Sequence, residues 1–202
     1  MVRRYTVVIT VERDSLESFA RGDVPVIAKP PGTAAPSVIW VSALAGQTRL
    51  TWDENDYGLF AAHAPPYPGN PIEPDVEAFP AEPRQLYGFD GAGIRRLEAS
   101  TTAPGRYEFT NFGPSAVTVG LIQRPSVNGR IVRAPLNGIV LPAGLTAEFA
   151  RSTRIYVWLA PTAAPGTVIS RVPENATIVA LEANRQCTSI HYEPATSSFV
   201  DR

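Results

Sequence analysis

Hydrophobic and polar residues alternate along much of the chain with a period of two, the pattern of β-strands that bury one face. In the first such segment Tyr5, Val7, Ile9 and Val11 share a face, opposite a mainly polar one. Residues 37–44 are apolar on both faces, which is typical of a strand buried on both sides. The same patterns predict further strands over residues 47–52, 106–110, 116–123, 145–149, 153–160, 167–172, 176–183 and 187–192. The core expected from these segments comprises Val7, Ile9, Val11, Leu50, Trp52, Leu59, Tyr107, Phe109, Val119, Leu121, Phe149, Ile155, Val157 and Leu159.

One segment near the start has the spacing of a helix. Asp14, with Glu17 three residues later, resembles a capping box, and Gly22 has the position of a helix stop. A short apolar stripe lies between them. We therefore predict one short N-terminal helix of about two turns over residues 15–21.

Turn signals separate the predicted strands. Asn128-Gly129 has the composition of a two-residue hairpin turn, because both residue types tolerate positive φ, and short segments that read as strands flank it. Twenty prolines spread along the chain exclude a helical bundle and favour short strands joined by turns. The predicted fold is therefore all-β, an antiparallel β-sandwich, with barrel-like closure as the alternative.

A proline-rich acidic segment interrupts this rhythm. Residues 64–85 hold seven prolines and four acidic residues, and the wider segment 53–90 has eight acidic residues against Arg84 alone. Its charge of −7, in a chain whose total is −1, leaves +6 on the remainder. Such a composition resists packing, so we interpret residues 64–85 as a long loop inserted into a single sandwich domain over residues 1–202, and not as a strand. The opposite charges make docking of this loop, or self-association, physically reasonable.

Charge balance and hydropathy exclude several kinds of partner. Eighteen basic and nineteen acidic residues leave no excess positive charge to hold a phosphate backbone, so no nucleic-acid partner is expected. No apolar run approaches the ~18 residues of a membrane span. The apolar run after Arg3 and Arg4 is short and ends in charged residues without a cleavage site. We therefore predict a cytoplasmic protein, or one secreted without a conventional leader.

The spacing of the candidate residues in the sequence does not fit a metal site or a catalytic pair. Cys187 and His191 share a strand face but lie about 13 Å apart at ~3.3 Å per residue, too far to hold one metal ion together. A buried thiol and a half-exposed imidazole are the simpler interpretation. Ser189 is too far from His191 for a nucleophile-base hydrogen bond. The acidic run at residues 53–58 lacks the ligand pattern of a calcium loop, and we interpret it as the turn of a hairpin between strands that end at Trp52 and begin at Tyr57. We expect neither a cofactor nor a bound metal.

Aromatic, histidine and acidic side chains cluster around residues 52–89. Such side chains supply stacking surfaces and hydrogen-bond acceptors of the kind used to recognise sugars or peptides. Arginine, which accounts for seventeen of the eighteen basic residues, supplies planar donors for carboxylates. The candidate binding residues are Asp53, Asp56, Tyr57, His63, Tyr67 and Tyr87, and no catalytic residue is assigned.

Two functions from different classes fit these observations. The first is a non-enzymatic protein that uses the loop end around residues 52–89 to bind a small molecule, a carbohydrate or a second copy of itself. The second is a small cofactor-independent enzyme, of the isomerase or cyclase type, with acid-base residues in a β-lined cavity. Because no nucleophile, metal set or cofactor motif is evident, the sequence favours the binding protein over the enzyme.

Overall fold

A computed structural model describes residues 3–12, 22–32, 34–35, 37–43, 46–99 and 103–201, and these residues form β-strands joined by turns. No helix occurs in these ranges, none therefore crosses a membrane, and the helix predicted over residues 15–21 lies outside them. The strands are β1 (Arg4–Thr10), β2 (Asp23–Ala28), β3 (Val41–Ser42), β4 (Gln47–Asp53), β5 (Tyr57–Ala62), β6 (Val76–Ala78), β7 (Gln85–Phe89), β8 (Ile94–Ala99), β9 (Arg106–Asn111), β10 (Val117–Gln123), β11 (Ser126–Val127), β12 (Arg130–Ile131), β13 (Ala134–Pro135), β14 (Ile139–Leu141), β15 (Thr146–Ala150), β16 (Arg154–Pro161), β17 (Thr177–Ala180), β18 (Cys187–Glu193) and β19 (Ser198–Asp201).

Four sheets contain these strands. Sheet I has the order β12-β11-β4-β1-β18-β19, and sheet II has the order β13-β10-β5-β6 with β14 also paired to β10. Sheet III is β15-β9-β7-β8 and sheet IV is β17-β16-β2-β3. The all-β class is confirmed. Two pairs, β1 with β18 and β7 with β9, are parallel, so sheets I and III are mixed where antiparallel pairing was expected. All strand pairs of sheets II and IV are antiparallel. Among the described strands each sheet is open, and the barrel-like alternative is not observed.

One apolar core draws side chains from all four sheets. Thirteen of the fourteen residues expected in the core are buried in it, and Leu159 is half-buried against it. Tyr5 and Trp52 from sheet I, for example, pack with their ring centroids 5.7 Å apart. The period of two therefore identified the buried faces correctly, because it follows directly from the pleat of each strand.

The proline-rich segment is part of the packed structure. Its residues 76–78 form β6, which pairs with β5, and Ile72 and Ala81 are buried. The backbone N–H of Ile72 donates to Gly166 O at 3.0 Å, and that of Ala81 donates to Tyr57 O at 2.7 Å. The prediction that this segment holds no strand is therefore wrong, because three residues between prolines suffice to extend an existing sheet edge.

Two of the four acidic side chains of this segment form ion pairs with arginines within the chain. Glu77 contacts both Arg124 and Arg133, and Glu82 contacts Arg96 at 2.8 Å. The opposite charges noted in the sequence thus meet inside one molecule. This arrangement is the loop docking considered above, and it leaves less free acidic charge for a second copy.

Candidate functional site

Two connections between sheets I and II run side by side at one corner of the molecule. Residues 54–56 lead from β4 of sheet I to β5 of sheet II, and residues 124–125 lead from β10 of sheet II back to β11 of sheet I. The register brings them together, because Tyr57 pairs with Gln123 in sheet II while Thr51 pairs with Ser126 in sheet I. Polar residues that are far apart in the sequence therefore meet at this corner.

The hairpin expected between Trp52 and Tyr57 is wrong. β4 and β5 belong to different sheets, so the turn between them changes sheet instead of reversing within one. The turn is closed locally: the Asn55 N–H donates to Asp53 Oδ1 at 2.8 Å, and the Asp56 N–H donates to Asp53 O at 3.3 Å. The Asp53 side chain and the Asp56 backbone are thereby held at the corner.

A pocket of about 500 Å³ opens at this corner, on the solvent-facing side of sheet I. Three exposed arginines line it, together with two half-buried hydroxyl side chains, two acids and one exposed aliphatic side chain. We call it the arginine pocket, and its lining residues are Arg4, Arg49, Thr51, Trp52, Asp53, Asp56, Arg124, Ser126, Gly129 and Ile131.

The alternation of the strands explains this lining. Along β4, Arg49, Thr51 and Asp53 point outward, whereas the residues between them are buried. Arg4 lies directly opposite Asp53 on the neighbouring strand β1, and it too is exposed. The outward side chains of adjacent strands therefore form one continuous polar surface.

Two of the three arginines have no acidic partner among the residues that the structure describes. No ion pair involves the guanidinium of Arg4 or Arg49 within the described residues, so their donors face the pocket and solvent. Arg124 is already engaged: it lies 3.4 Å from Glu77 and its guanidinium carbon is 3.9 Å from the ring centroid of Phe79. The pocket thus combines a fixed guanidinium with two that are free to bind an anion.

Asp53 and Asp56 are the two acids that line the arginine pocket. Burial raises the pKa of the Asp56 carboxyl, the nearby Asp53 carboxylate raises it further, and Arg124 opposes the shift. Asp53 Oδ1 accepts the hydrogen bond from the Asn55 N–H described above. The carboxyl oxygens of both residues can accept hydrogen bonds from ligand hydroxyl groups that lie beside the arginines.

Lys29, the chain's single lysine, is buried directly behind the pocket. Its side chain is 1% exposed, and its Nζ lies 5.2, 5.1 and 4.7 Å from the ring centroids of Trp40, Trp52 and Tyr57. Burial lowers the pKa of the Lys29 ammonium well below its ordinary value. Lysine is rarely buried to this degree unless it is paired, and no carboxylate contacts Lys29 within the described ranges.

Hydrogen bonds connect this lysine to the pocket wall. The Lys29 Nζ donates to Gln123 Oε1 at 2.7 Å, and the Gln123 Nε2 donates to Asp53 O at 2.7 Å. The carbonyl of Asp53 is therefore fixed at the point where the chain leaves sheet I. Sequence reasoning missed Lys29, for which the sequence offers one signal, its position at the end of the apolar run 24–28.

Among the candidates from the sequence, Asp53 and Asp56 line the arginine pocket and the other four do not. Tyr57 faces the core beside Lys29, and Tyr87 is buried with its Oη accepting the Glu82 N–H at 2.7 Å. His63 is exposed, with Nδ1 2.8 Å from an Asp75 carboxylate oxygen, and Tyr67 is 60% exposed on the proline-rich segment. The predicted set is therefore dispersed.

Within the described residues no group of three or more His, Cys, Asp and Glu side chains is arranged to share a metal ion. Cys187 is exposed, where a buried thiol was expected, because it lies on the outward-facing positions of β18. The Nδ1 of His191, on the same strand, is buried and has no hydrogen-bond partner in the described part of the chain.

Comparison of the chain with protein-family models, with curated proteins and with solved structures gave no match. Function must then be inferred from the chemistry of the arginine pocket itself.

Proposed function

We propose that the chain is a non-enzymatic β-sandwich protein that binds an acidic saccharide in the arginine pocket. The observation that carries this proposal is the pair of unpaired guanidinium groups, Arg4 and Arg49, beside acidic and hydroxyl side chains in one pocket. The core shared by the four sheets supports the sandwich arrangement.

The lining residues match the groups of such a ligand. An arginine fork binds a carboxylate or sulfate through two parallel charge-assisted hydrogen bonds. The Asp53 and Asp56 carboxyls and the Thr51 hydroxyl can pair with sugar hydroxyls. Ile131, 70% exposed at the pocket edge, offers an apolar surface to the C–H face of a sugar ring. A neutral sugar would leave the guanidinium groups without an anion, so the acid group sets the specificity.

The size of the pocket also suits a small ligand. Its volume of about 500 Å³ falls within the range of pockets that bind small molecules, roughly 300–1,000 Å³. The pocket lies on a sheet surface, where paired strands hold the backbones of its lining residues in place. Ligand binding therefore orders the exposed arginine side chains but does not have to order the backbone.

Titration calorimetry with glucuronate, and with glucose as the neutral counterpart, tests the proposal. Arg49→Gln should weaken glucuronate binding by roughly 10- to 100-fold, the usual loss for a charge-assisted hydrogen bond. Arg154→Gln is the matched control, because Arg154 is an exposed strand arginine in sheet IV without an ion pair among the described residues. The proposal would be refuted if glucose and glucuronate bound equally well, or if Arg49→Gln and Arg154→Gln lost glucuronate affinity to the same extent.

One observation favours an enzyme as the second candidate. Asp53 and Asp56 form a pair in which Asp56 has a raised pKa, and such pairs serve as acid and base in catalysis. The isomerase or cyclase interpretation would place this chemistry in the arginine pocket. Proton NMR of the bound saccharide distinguishes the two: an unchanged ligand supports binding alone, and conversion that Asp56→Asn abolishes supports the enzyme.

A further inference from the structure

A second pocket adjoins the arginine pocket across the hairpin formed by β11 and β12. Its volume is about 460 Å³, and Ile131 borders both pockets. Two further arginines, Arg130 and Arg133, line it. Arg133 contacts Glu77, whereas Arg130 makes no ion pair within the described residues. Unpaired guanidinium groups therefore occur on both sides of the hairpin.

The positions along β12 explain how the two pockets are related. Ile131 pairs with Ser126, which pairs with Thr51 on the outward face, so Ile131 points into the arginine pocket. Arg130 is the preceding residue and points to the other face of the same strand. Because β12 is the edge strand of sheet I, a ligand that contacts both residues passes around that edge.

The hairpin forms a rigid ridge between the pockets. Asn128 and Gly129 have φ values of 51° and 85°, which the two-residue turn requires. The Asn128 Oδ1 accepts the Arg49 N–H at 2.7 Å, and the Asn128 N–H donates to Arg49 O at 2.9 Å. The tip of the hairpin is thus tied to β4, and a ligand lying across it does not have to order it.

We infer that the ligand is an acidic oligosaccharide, a chain with repeated anionic groups, that crosses the edge strand and fills both pockets. This inference rests on the proposed function of the arginine pocket. Arg130 lies two strand spacings from β4, so the backbones that carry Arg49 and Arg130 are about 10 Å apart at ~4.8 Å per strand. Arg49 and Arg130 also point to opposite faces of sheet I, so one sugar acid does not reach both guanidinium groups, whereas a chain of several sugar units that passes around the edge strand can.

A saccharide fits these pockets better than a single-stranded nucleic acid, which is also a polyanion. Nucleic-acid grooves use exposed aromatic rings as stacking platforms for the bases. Among the described residues Trp52 is the one aromatic residue that lines either pocket, and its side chain is buried. The arginine pocket instead presents hydroxyl and carboxyl side chains, which can form hydrogen bonds with sugar hydroxyls.

Calorimetry with galacturonate oligomers of one, two, four and six residues tests the inference. Affinity should rise about tenfold or more from the monomer to the tetramer, and the salt dependence should steepen as Arg130 joins the contact. Arg130→Gln should remove this gain and leave monomer binding unchanged, while Arg49→Gln should weaken both. Arg154→Gln serves again as the control, and thermal melting checks that each variant is folded.

The outcomes separate the two proposals. If the monomer binds through Arg49 but affinity does not increase with length, or Arg130→Gln has no effect on the tetramer, the extended ligand is refuted and the proposed function stands. If neither monomer nor tetramer binds, both fail. If a single-stranded oligonucleotide of equal charge displaces the tetramer at a lower concentration than galacturonate oligomers do, the saccharide assignment is overturned.

Discussion

Replacing Lys29 by methionine should change how stability depends on pH. Methionine has a similar length and no titratable group. Burial favours the neutral amine in the native state, and the unfolded chain holds the proton up to a pKa of about 10.4. Between the lowered native pKa and that value the unfolded state binds more protons, so the free energy of unfolding rises with pH. The slope is at most about 1.4 kcal/mol per pH unit.

The variant lacks this contribution. From pH 7 to pH 9 the wild type should gain up to about 2.7 kcal/mol relative to Lys29→Met, because the difference accumulates over two pH units. The variant also leaves Gln123 Oε1 without its donor at 2.7 Å, which costs about 1–3 kcal/mol at every pH. That cost lowers the variant's free energy of unfolding by the same amount at every pH, so it does not change how this free energy depends on pH.

Urea denaturation at pH 7, 8 and 9, followed by circular dichroism, measures this slope. Leu59→Met is the matched control, because it places a methionine at another fully buried position and removes no titratable group. The free energy of unfolding of Leu59→Met should change with pH by the same amount as that of the wild type. The pKa of Tyr57, beside Lys29, is raised far above its ordinary value, so this phenol stays protonated over the range.

If the free energies of unfolding of the wild type and Lys29→Met changed equally with pH, the claim that burial lowers the pKa of Lys29 would be refuted. They would mean that Lys29 stays an ammonium ion in the core, with the faces of Trp40, Trp52 and Tyr57 replacing its hydration through cation–π attraction. Desolvation favours loss of the Lys29 proton, whereas cation–π attraction favours its retention. We expect desolvation to prevail because no carboxylate contacts the amine in the described part of the structure.

Two further predictions concern packing. Gly120→Ala should destabilise the fold by about 3 kcal/mol or more in chemical denaturation, because a Cβ there would lie 2.4 Å from the carbonyl oxygen of Asn137. Gly93→Ala, whose Cβ would have no atom within 4 Å, should have little effect, and equal losses would contradict the model of packing. Replacing residues 64–83 by a short Gly-Ser linker should broaden or abolish the thermal transition, because it removes β6 and buried Ile72; an unchanged melting temperature would show that the segment is dispensable.

The sequence predicts buried faces well and sheet membership poorly. Alternation along β4 reports which side of the strand is apolar, and Leu50 and Trp52 are buried as expected. The same alternation contains no information on whether β5 pairs with β4 or with β10. That choice depends on contacts with residues more than fifty positions away, so a polar turn at residues 54–56 resembles a hairpin locally.

The candidate site was predicted only in part for the same reason. Asp53 and Asp56 were identified, because clustered acids after a strand are visible in one stretch of sequence. Arg4, Arg49 and Arg124 join them through the pairing of β1, β4 and β11, which no local pattern encodes. Seventeen arginines in the chain also gave no reason to select these three.

The buried lysine and the pocket are parts of one corner. Gln123 ends β10 just before the chain crosses to sheet I, and Asp53 ends β4 just before the chain crosses to sheet II. The hydrogen bond from Gln123 Nε2 to Asp53 O links these two crossings, and Lys29 holds the other end of the Gln123 amide. An apolar residue at position 29 could fill the same volume but could not orient that amide. The unfavourable burial of the amine is therefore coupled to the geometry that brings acids and arginines together in one pocket.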